Sequence, residues 1–209
     1  YQASWKGPAQ FRWGGVDHGY ITRMVPTGFA PAPLPDFAAL PDAALVQVIA
    51  SSPSHVRRLN AQRMLLRRPE SAETTTSLLA VAGNAQLDLG HRIAALYTIS
   101  QRGLLGAKSA AVFTTLRTLV SRDDPLAPFV VRAAGDLGMD LRTAGKAGPV
   151  DTAWLRDQLR GKASRHILEA VIAAARQGRK DLGPDIATHL ASSDPIVVHT
   201  SYRALARLR

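Results

Sequence analysis

The 209-residue chain has no cysteine, which removes disulfides, cysteine-ligated zinc and iron–sulfur sites, covalent c-type haem attachment and thiol catalysis from within these residues. No stretch approaches the roughly 20 apolar residues needed to cross a bilayer, so a soluble or peripheral piece with no transmembrane segment is expected. Aromatic residues are scarce, 6% against 46% hydrophobic residues in all. With Ala and Leu abundant, that balance favours close-packed helices over a large sheet, whose strands draw on Val, Ile, Tyr and Phe. The chain begins at Tyr1 without an initiator Met or a signal-peptide pattern, and reads as a mature product or a fragment.

Catalytic and metal motifs are also missing. Of His18, His55, His91, His166, His189 and His199, no two have the three- or four-residue spacing that sets both imidazoles on one helical face. Ser4, Ser54 and Ser100 lack the G-x-S-x-G context of an exposed nucleophile. The Gly-containing segment from Gly138 to Val150 lacks phosphate-loop spacing and reads as an inter-repeat loop. Asp123-Asp124 reads as a helix cap, and Asp136 with Asp140 as neighbours at a helix end rather than a catalytic pair. No catalytic, cofactor-binding or metal-binding residue is therefore assigned within this chain.

What the chain does contain is a recurring helix signature. Val56, Asn60, Ala61 and Met64 set a pattern that returns at His91, Ala95, Leu96 and Ile99, then at Phe129, Ala133, Ala134 and Leu137. Two further copies run through Ile167, Val171, Ile172 and Ala175, and through Val197, Ser201, Tyr202 and Leu205. The copies start 30 to 38 residues apart, the period of a two-helix repeat. Helices are expected over 42–50, 54–68, 72–82, 87–101, 106–120, 125–137, 151–160, 164–177, 182–190 and 195–208. Ser52-Pro53, Asp124-Pro125 and Asp194-Pro195 each offer a capping oxygen followed by a ring at the first helical position. Gly83, Gly103, Gly161, Gly178 and Gly183 fall at candidate helix ends. The expectation is a right-handed α-solenoid of about five HEAT-like helix pairs over 37–209.

Residues 1–36 differ in composition. Trp5, Phe11, Trp13 and Tyr20 are interleaved with glycine, Tyr20 to Val25 alternates like a strand, and Pro26, Pro31, Pro33 and Pro35 form an extended linker. The four aromatics are candidates for packing this segment onto a β domain.

Lys and Arg number 26 against 16 Asp and Glu. The plain reading is solvated helix faces; the functional one is a basic interaction surface, with Arg57, Arg63, Arg67, Arg92, Arg132, Arg156 and Arg160 as its candidates. Arg63 with Arg67, and Arg156 with Arg160, are four apart and share a helical face.

The run Ser4-Trp5-Lys6-Gly7, Phe11, Trp13, Gly14-Gly15 and His18-Gly19-Tyr20-Ile21-Thr22-Arg23, followed by Pro33-Leu34-Pro35-Asp36 and Leu40-Pro41-Asp42-Ala43-Ala44-Leu45-Val46, carries a family resemblance. It resembles the junction between a sugar-dehydrogenase-like β-propeller and HEAT-like repeats in large membrane-bound dehydrogenases of planctomycete and verrucomicrobial type. Pro41 stands where that family has a capping Ser, and Ala44 where it has Glu. Val56-Arg57-Arg58-Leu59 through Leu65-Leu66-Arg67-Arg68 is similar to its repeat. The resemblance implies a parent oxidoreductase outside the cytoplasm, with haem c bound elsewhere through a Cys-x-x-Cys-His motif absent here. It implies for this chain a non-catalytic scaffold that docks domains of the same parent chain or a protein partner. The alternative is a HEAT-like nucleic-acid-binding protein of the solenoid DNA glycosylase type, which requires Arg57, Arg63, Arg67, Arg92, Arg132, Arg165 and Arg203 of the second helices to gather on one concave face, with an aromatic or acidic site there.

Overall fold

A computed structural model describes residues 24–30, 33–104, 111, 114–115, 117–118, 124–143 and 152–209. The chain divides into two compact units, Tyr1–Leu34 and Pro35–Arg209. In the first, the Phe29 N–H donates to the Pro26 carbonyl at 3.0 Å and Gly28 takes φ 79°, as the third residue of a type II turn requires. Trp5, Phe11, Trp13 and Tyr20 lie outside the described residues. So does most of the strand expected over 20–25, whose last residues, Met24 and Val25, are not in a strand.

The described residues of the second unit are built from helices, with no strand among them. In chain order these are α1 (Asp42–Ser51), α2 (His55–Arg67), α3 (Ala72–Gly83), α4 (Leu89–Leu104), α5 (Ala127–Thr143), α6 (Thr152–Leu159), α7 (Ser164–Arg176), α8 (Gly183–Ala187) and α9 (Pro195–Leu208). Of the helix expected over 106–120, the described residues Ala111, Thr114, Thr115, Arg117 and Thr118 are helical; the others lie outside the description.

The junctions follow from local chemistry. α1 starts behind Pro41, which cannot cap it, and Asp42 occupies its first turn, where a carboxylate meets the positive helix end. The same carboxylate accepts from Arg68 Nη1 at 2.7 Å and from Thr74 Oγ1 at 3.0 Å, tying α1 to the end of α2 and the start of α3. Ser52, Asp124 and Asp194 each accept, through a side-chain oxygen, the N–H two residues on: Ser54 at 3.3 Å, Leu126 at 2.7 Å and Ile196 at 2.9 Å. Only at Asp194 does the following proline open the helix. Elsewhere this bond closes a turn first, so α2 begins behind Ser54, whose side chain accepts from the Arg57 N–H, and α5 begins at Ala127. Gly178 takes φ 67°, and the Arg179 N–H donates back to the Ala174 carbonyl at 3.0 Å, closing α7 with a left-handed residue. Gly103 instead lies within α4 and Gly183 opens α8.

Two expectations are corrected. α5 runs on through Gly138 to Thr143 rather than giving way to a loop. Gly138 sits at a helix crossing, where a Cβ would stand 2.4 Å from Gln177 Cγ and Cδ; the glycine permits close approach rather than breaking the chain. The single helix expected over 182–190 is instead α8 flanked by the 3-10 turns Lys180–Leu182 and Thr188–Ala191, with Gly183-Pro184 at the break.

One core gathers Leu45, Ile49, Leu65, Leu78, Leu96 and Leu126, and a second gathers Val131, Leu155, Val171, Leu182 and Ile186. Each fully buried Leu or Ile stabilises the fold by about 1.5–3 kcal/mol relative to exposure. α1 packs on α2, α3 and α4, and α6 packs on α7 and α8. The second helices follow one another in a row: α2 packs on α4, α4 on α5, α5 on α7 and α7 on α9. Most signature positions are buried or half-buried, but Val56 and Tyr202 are 54% and 62% exposed. They lie on α2 and α9, the ends of that row, where a second helix has a neighbour on one side only. No helix among the described residues is long and apolar enough to cross a membrane.

Candidate functional site

Each helix of the row buries a small residue completely: Ala61, Ala95, Ala134, Ala174 and Ser201 are all 0% exposed. A residue two positions away is rotated by about 200° on a helix, so it points away from the packed interior. Those positions are Arg63 on α2, Tyr97 on α4, Arg132 and Asp136 on α5, Arg176 on α7 and Arg203 on α9. Arg67 and Arg207 lie one turn beyond Arg63 and Arg203, and Arg165 precedes Ala170 on α7. Because the row is continuous, these side chains belong to one layer. Arg63, Arg67, Arg132, Arg165, Arg203 and Arg207 are exposed.

The charge is partitioned by layer. The second helices α2, α4, α5, α7 and α9 carry twelve arginines and three acidic residues, whereas α1, α3, α6 and α8 carry one arginine and four acidic residues. Arg63, Arg67, Arg203 and Arg207 have no ion-pair partner among the described residues. The two acidic side chains described on the face are engaged: Asp136 pairs with Arg176, and Glu169 Oε1 lies 3.7 Å from Arg132 Nη1. Glu169 is nearly buried, and that burial pushes its carboxyl above the usual range against the pull of Arg132, Arg165 and Arg176. Burial likewise raises the Tyr97 hydroxyl. The Arg165 guanidinium lies over the Phe129 ring, 4.4 Å from its centroid, a cation–π contact that holds the charge on the face.

The candidate arginines therefore separate. Arg63, Arg67 and Arg132 share the layer. Arg57, one turn before Ala61, is half-buried beside the packed stripe. Arg92 belongs to the interior rather than to a surface: it is 4% exposed, its Nε donates to the Ala82 carbonyl at 2.9 Å and its Nη2 to Asp124 Oδ2 at 2.8 Å. Arg156 binds Asp185 of α8 at 3.0 Å, and Arg160 is exposed just past the end of α6, so neither is on a second helix. Arg176 and Arg207, absent from the candidates read from sequence, complete the layer. Their signal was the two- and six-residue offset from a small buried residue, visible once the buried face is known.

Two open grooves run between neighbours in the row. One, of about 330 Å³, lies between α2 and α4 and is lined by His55, Arg58, Gln62, Ile93 and Tyr97 among others. The other, of about 560 Å³, lies between α7 and α9 and is lined by Arg176, Arg203 and Arg207 with Ile172, Thr200 and Ala206 among others. Among the described residues no group of His, Asp and Glu is placed to hold a metal ion.

No family model matches the chain, and no curated protein or solved structure does either.

Proposed function

We propose that this chain is a HEAT-like helical-repeat module, a right-handed solenoid of about five helix pairs, that binds the phosphate backbone of nucleic acid along its second helices. The observation that carries this reading is the partition of charge: twelve arginines on α2, α4, α5, α7 and α9 against one on α1, α3, α6 and α8. Solvated surface charge has no reason to segregate by layer, and on this one arginines outnumber acidic residues by nine. Guanidinium groups bind phosphate oxygens in a bidentate geometry that suits a backbone read without sequence. The row-like packing of second helices supports the solenoid, whose repeats present an extended surface. The residues resembling a dehydrogenase junction fall mostly outside the described region, so the scaffold reading gains no support from the packed unit.

The test is fluorescence anisotropy with labelled single-stranded and duplex DNA across about 0.05–0.2 M salt. Binding at micromolar concentration near physiological salt is expected, with an affinity that falls steeply as salt rises. The triple variant R63Q/R67Q/R132Q should bind more weakly and show a shallower salt dependence. No binding by the wild-type chain in this range refutes the proposal.

A further inference from the structure

The two ends of the arginine layer are not equivalent. On α2, Arg63 and Arg67 stand on an open helix face and line neither groove described between neighbouring second helices. On α9, Arg203 and Arg207 line the groove shared with α7, and Arg176 faces them from the α7 side. Arg203 and Arg207 have no carboxylate partner among the described residues. The one acid engaged there is Asp136, which pairs with Arg176 from α5. Three arginines thus line one concavity, and one of them, Arg176, is already paired with Asp136 of α5. Thr200 adds a hydroxyl, while Ile172, Ala175, Ala204 and Ala206 give the same groove an apolar lining.

We infer that this α7–α9 groove seats one nucleotide of a single strand, its phosphate held by Arg203, Arg207 and Arg176 and its sugar or base resting on Ile172 and Ala206. This deepens, and rests on, the proposed binding of nucleic acid. The volume of about 560 Å³ is of the size that small-molecule sites have. The mixture of charge and apolar lining selects the strand type. A duplex offers only phosphates and sugars outside its grooves, whereas an unpaired nucleotide can also bury an apolar surface. Ile172 and Ala206 gain nothing from a paired backbone passing over them. The small side chains at Ala175, Ala204 and Ala206 leave the room that larger residues would fill.

The experiment compares two double variants, each removing two positive charges: R203Q/R207Q in the groove and R63Q/R67Q on the open face. Binding of a short labelled deoxythymidine oligomer and of a short duplex is measured by anisotropy, with circular dichroism confirming that each variant is folded. A third variant, A206L, leaves all charge in place and fills the groove. The expected result is a loss for R203Q/R207Q on single strands at least about tenfold larger than for R63Q/R67Q, as follows when hydrogen bonds to a charged ligand are removed from a formed site. A206L should weaken single-strand binding while leaving duplex binding unchanged. Equal losses for the two double variants, or no effect of A206L on single strands, overturn the nucleotide seat while leaving the basic layer intact. Failure of the wild-type chain to bind either probe overturns both.

Discussion

Gly135 on α5 meets the backbone of α7 where a side chain would stand, and its replacement by alanine gives a quantitative test. A Cβ on Gly135 would lie 2.8 Å from Ala173 Cα and 2.9 Å from Ala173 Cβ. The first of these is backbone of α7, so no rotamer change relieves the clash and the two helices must separate. Inserting a methyl group into a packed contact costs about 1–3 kcal/mol, while alanine gains back about 1 kcal/mol over glycine in a helix interior. The net expectation is a loss of up to about 2 kcal/mol. Gly90 on α4 is the matched control: its Cβ would meet only Arg58 Nη2 at 3.5 Å, an ordinary contact at an exposed site, so Gly90→Ala should be neutral or stabilising by up to about 1 kcal/mol. Urea titration followed by far-ultraviolet circular dichroism reads both. The midpoint should fall for Gly135→Ala and hold or rise for Gly90→Ala at unchanged m-value. If both variants shift alike, the close α5–α7 crossing is wrong.

Arg92→Met removes the donor from a nearly buried pair and strands both Asp124 and the Ala82 carbonyl; a loss of about 3 kcal/mol in a urea titration is expected, with R92M/D124N recovering part of it. A loss no larger than that of an exposed arginine would contradict the interior role. The Arg68 hydrogen bond, against partial burial and helped by Thr74, holds the Asp42 carboxyl below its usual 3.8. Its stabilisation is therefore present above that value and lost as pH falls through the lowered one. Asp42→Asn should cost about 1 kcal/mol near neutral pH and progressively less in acid; a deficit independent of pH contradicts the pairing. Glu169 has the opposite sign. Burial raises its carboxyl, so the native state holds the proton more tightly than the unfolded chain and stability falls as pH rises from the ordinary Glu range through the raised value. Glu169→Gln should thus gain on the wild type as pH rises from the ordinary Glu range; a variant that loses ground over that rise would show that Arg132 outweighs burial.

The helices were readable because their local causes lie within a few residues. The sequence expectation of 195–208 coincides with α9, where Asp194-Pro195 supplies both cap and first residue, and 164–177 exceeds α7 by one residue at Gln177. Errors arose where the cause lies across the fold. Gly138 looks like a chain break until Gln177, from just past the end of α7, is seen against it. Arg92 looks like any helical arginine until its carboxylate arrives from Asp124, 32 residues away. Arg176 carries no local signal either, since its partner Asp136 is 40 residues distant. Periodicity identifies which residues share a face, but not which face receives a neighbour.

Stability does not account for the arginines that remain on the second-helix layer. Packed helices lie about 8–10 Å apart, comparable to the Debye length at physiological ionic strength, so unpaired charges on successive helices repel one another. Where the fold needs an arginine it supplies a partner: Arg68 has Asp42, Arg92 has Asp124 and Arg156 has Asp185. Arg63, Arg67, Arg203 and Arg207 have no such partner among the described residues, and neutral residues in their places would relieve repulsion without disturbing the core. The acidic residues of α1, α3, α6 and α8, namely Asp42, Glu73, Asp157 and Asp185, lie off that layer, where they would not compete with an anionic ligand. A surface that tolerates self-repulsion, and whose described carboxylates Asp136 and Glu169 are both engaged, is suited to a countercharge supplied from outside the chain.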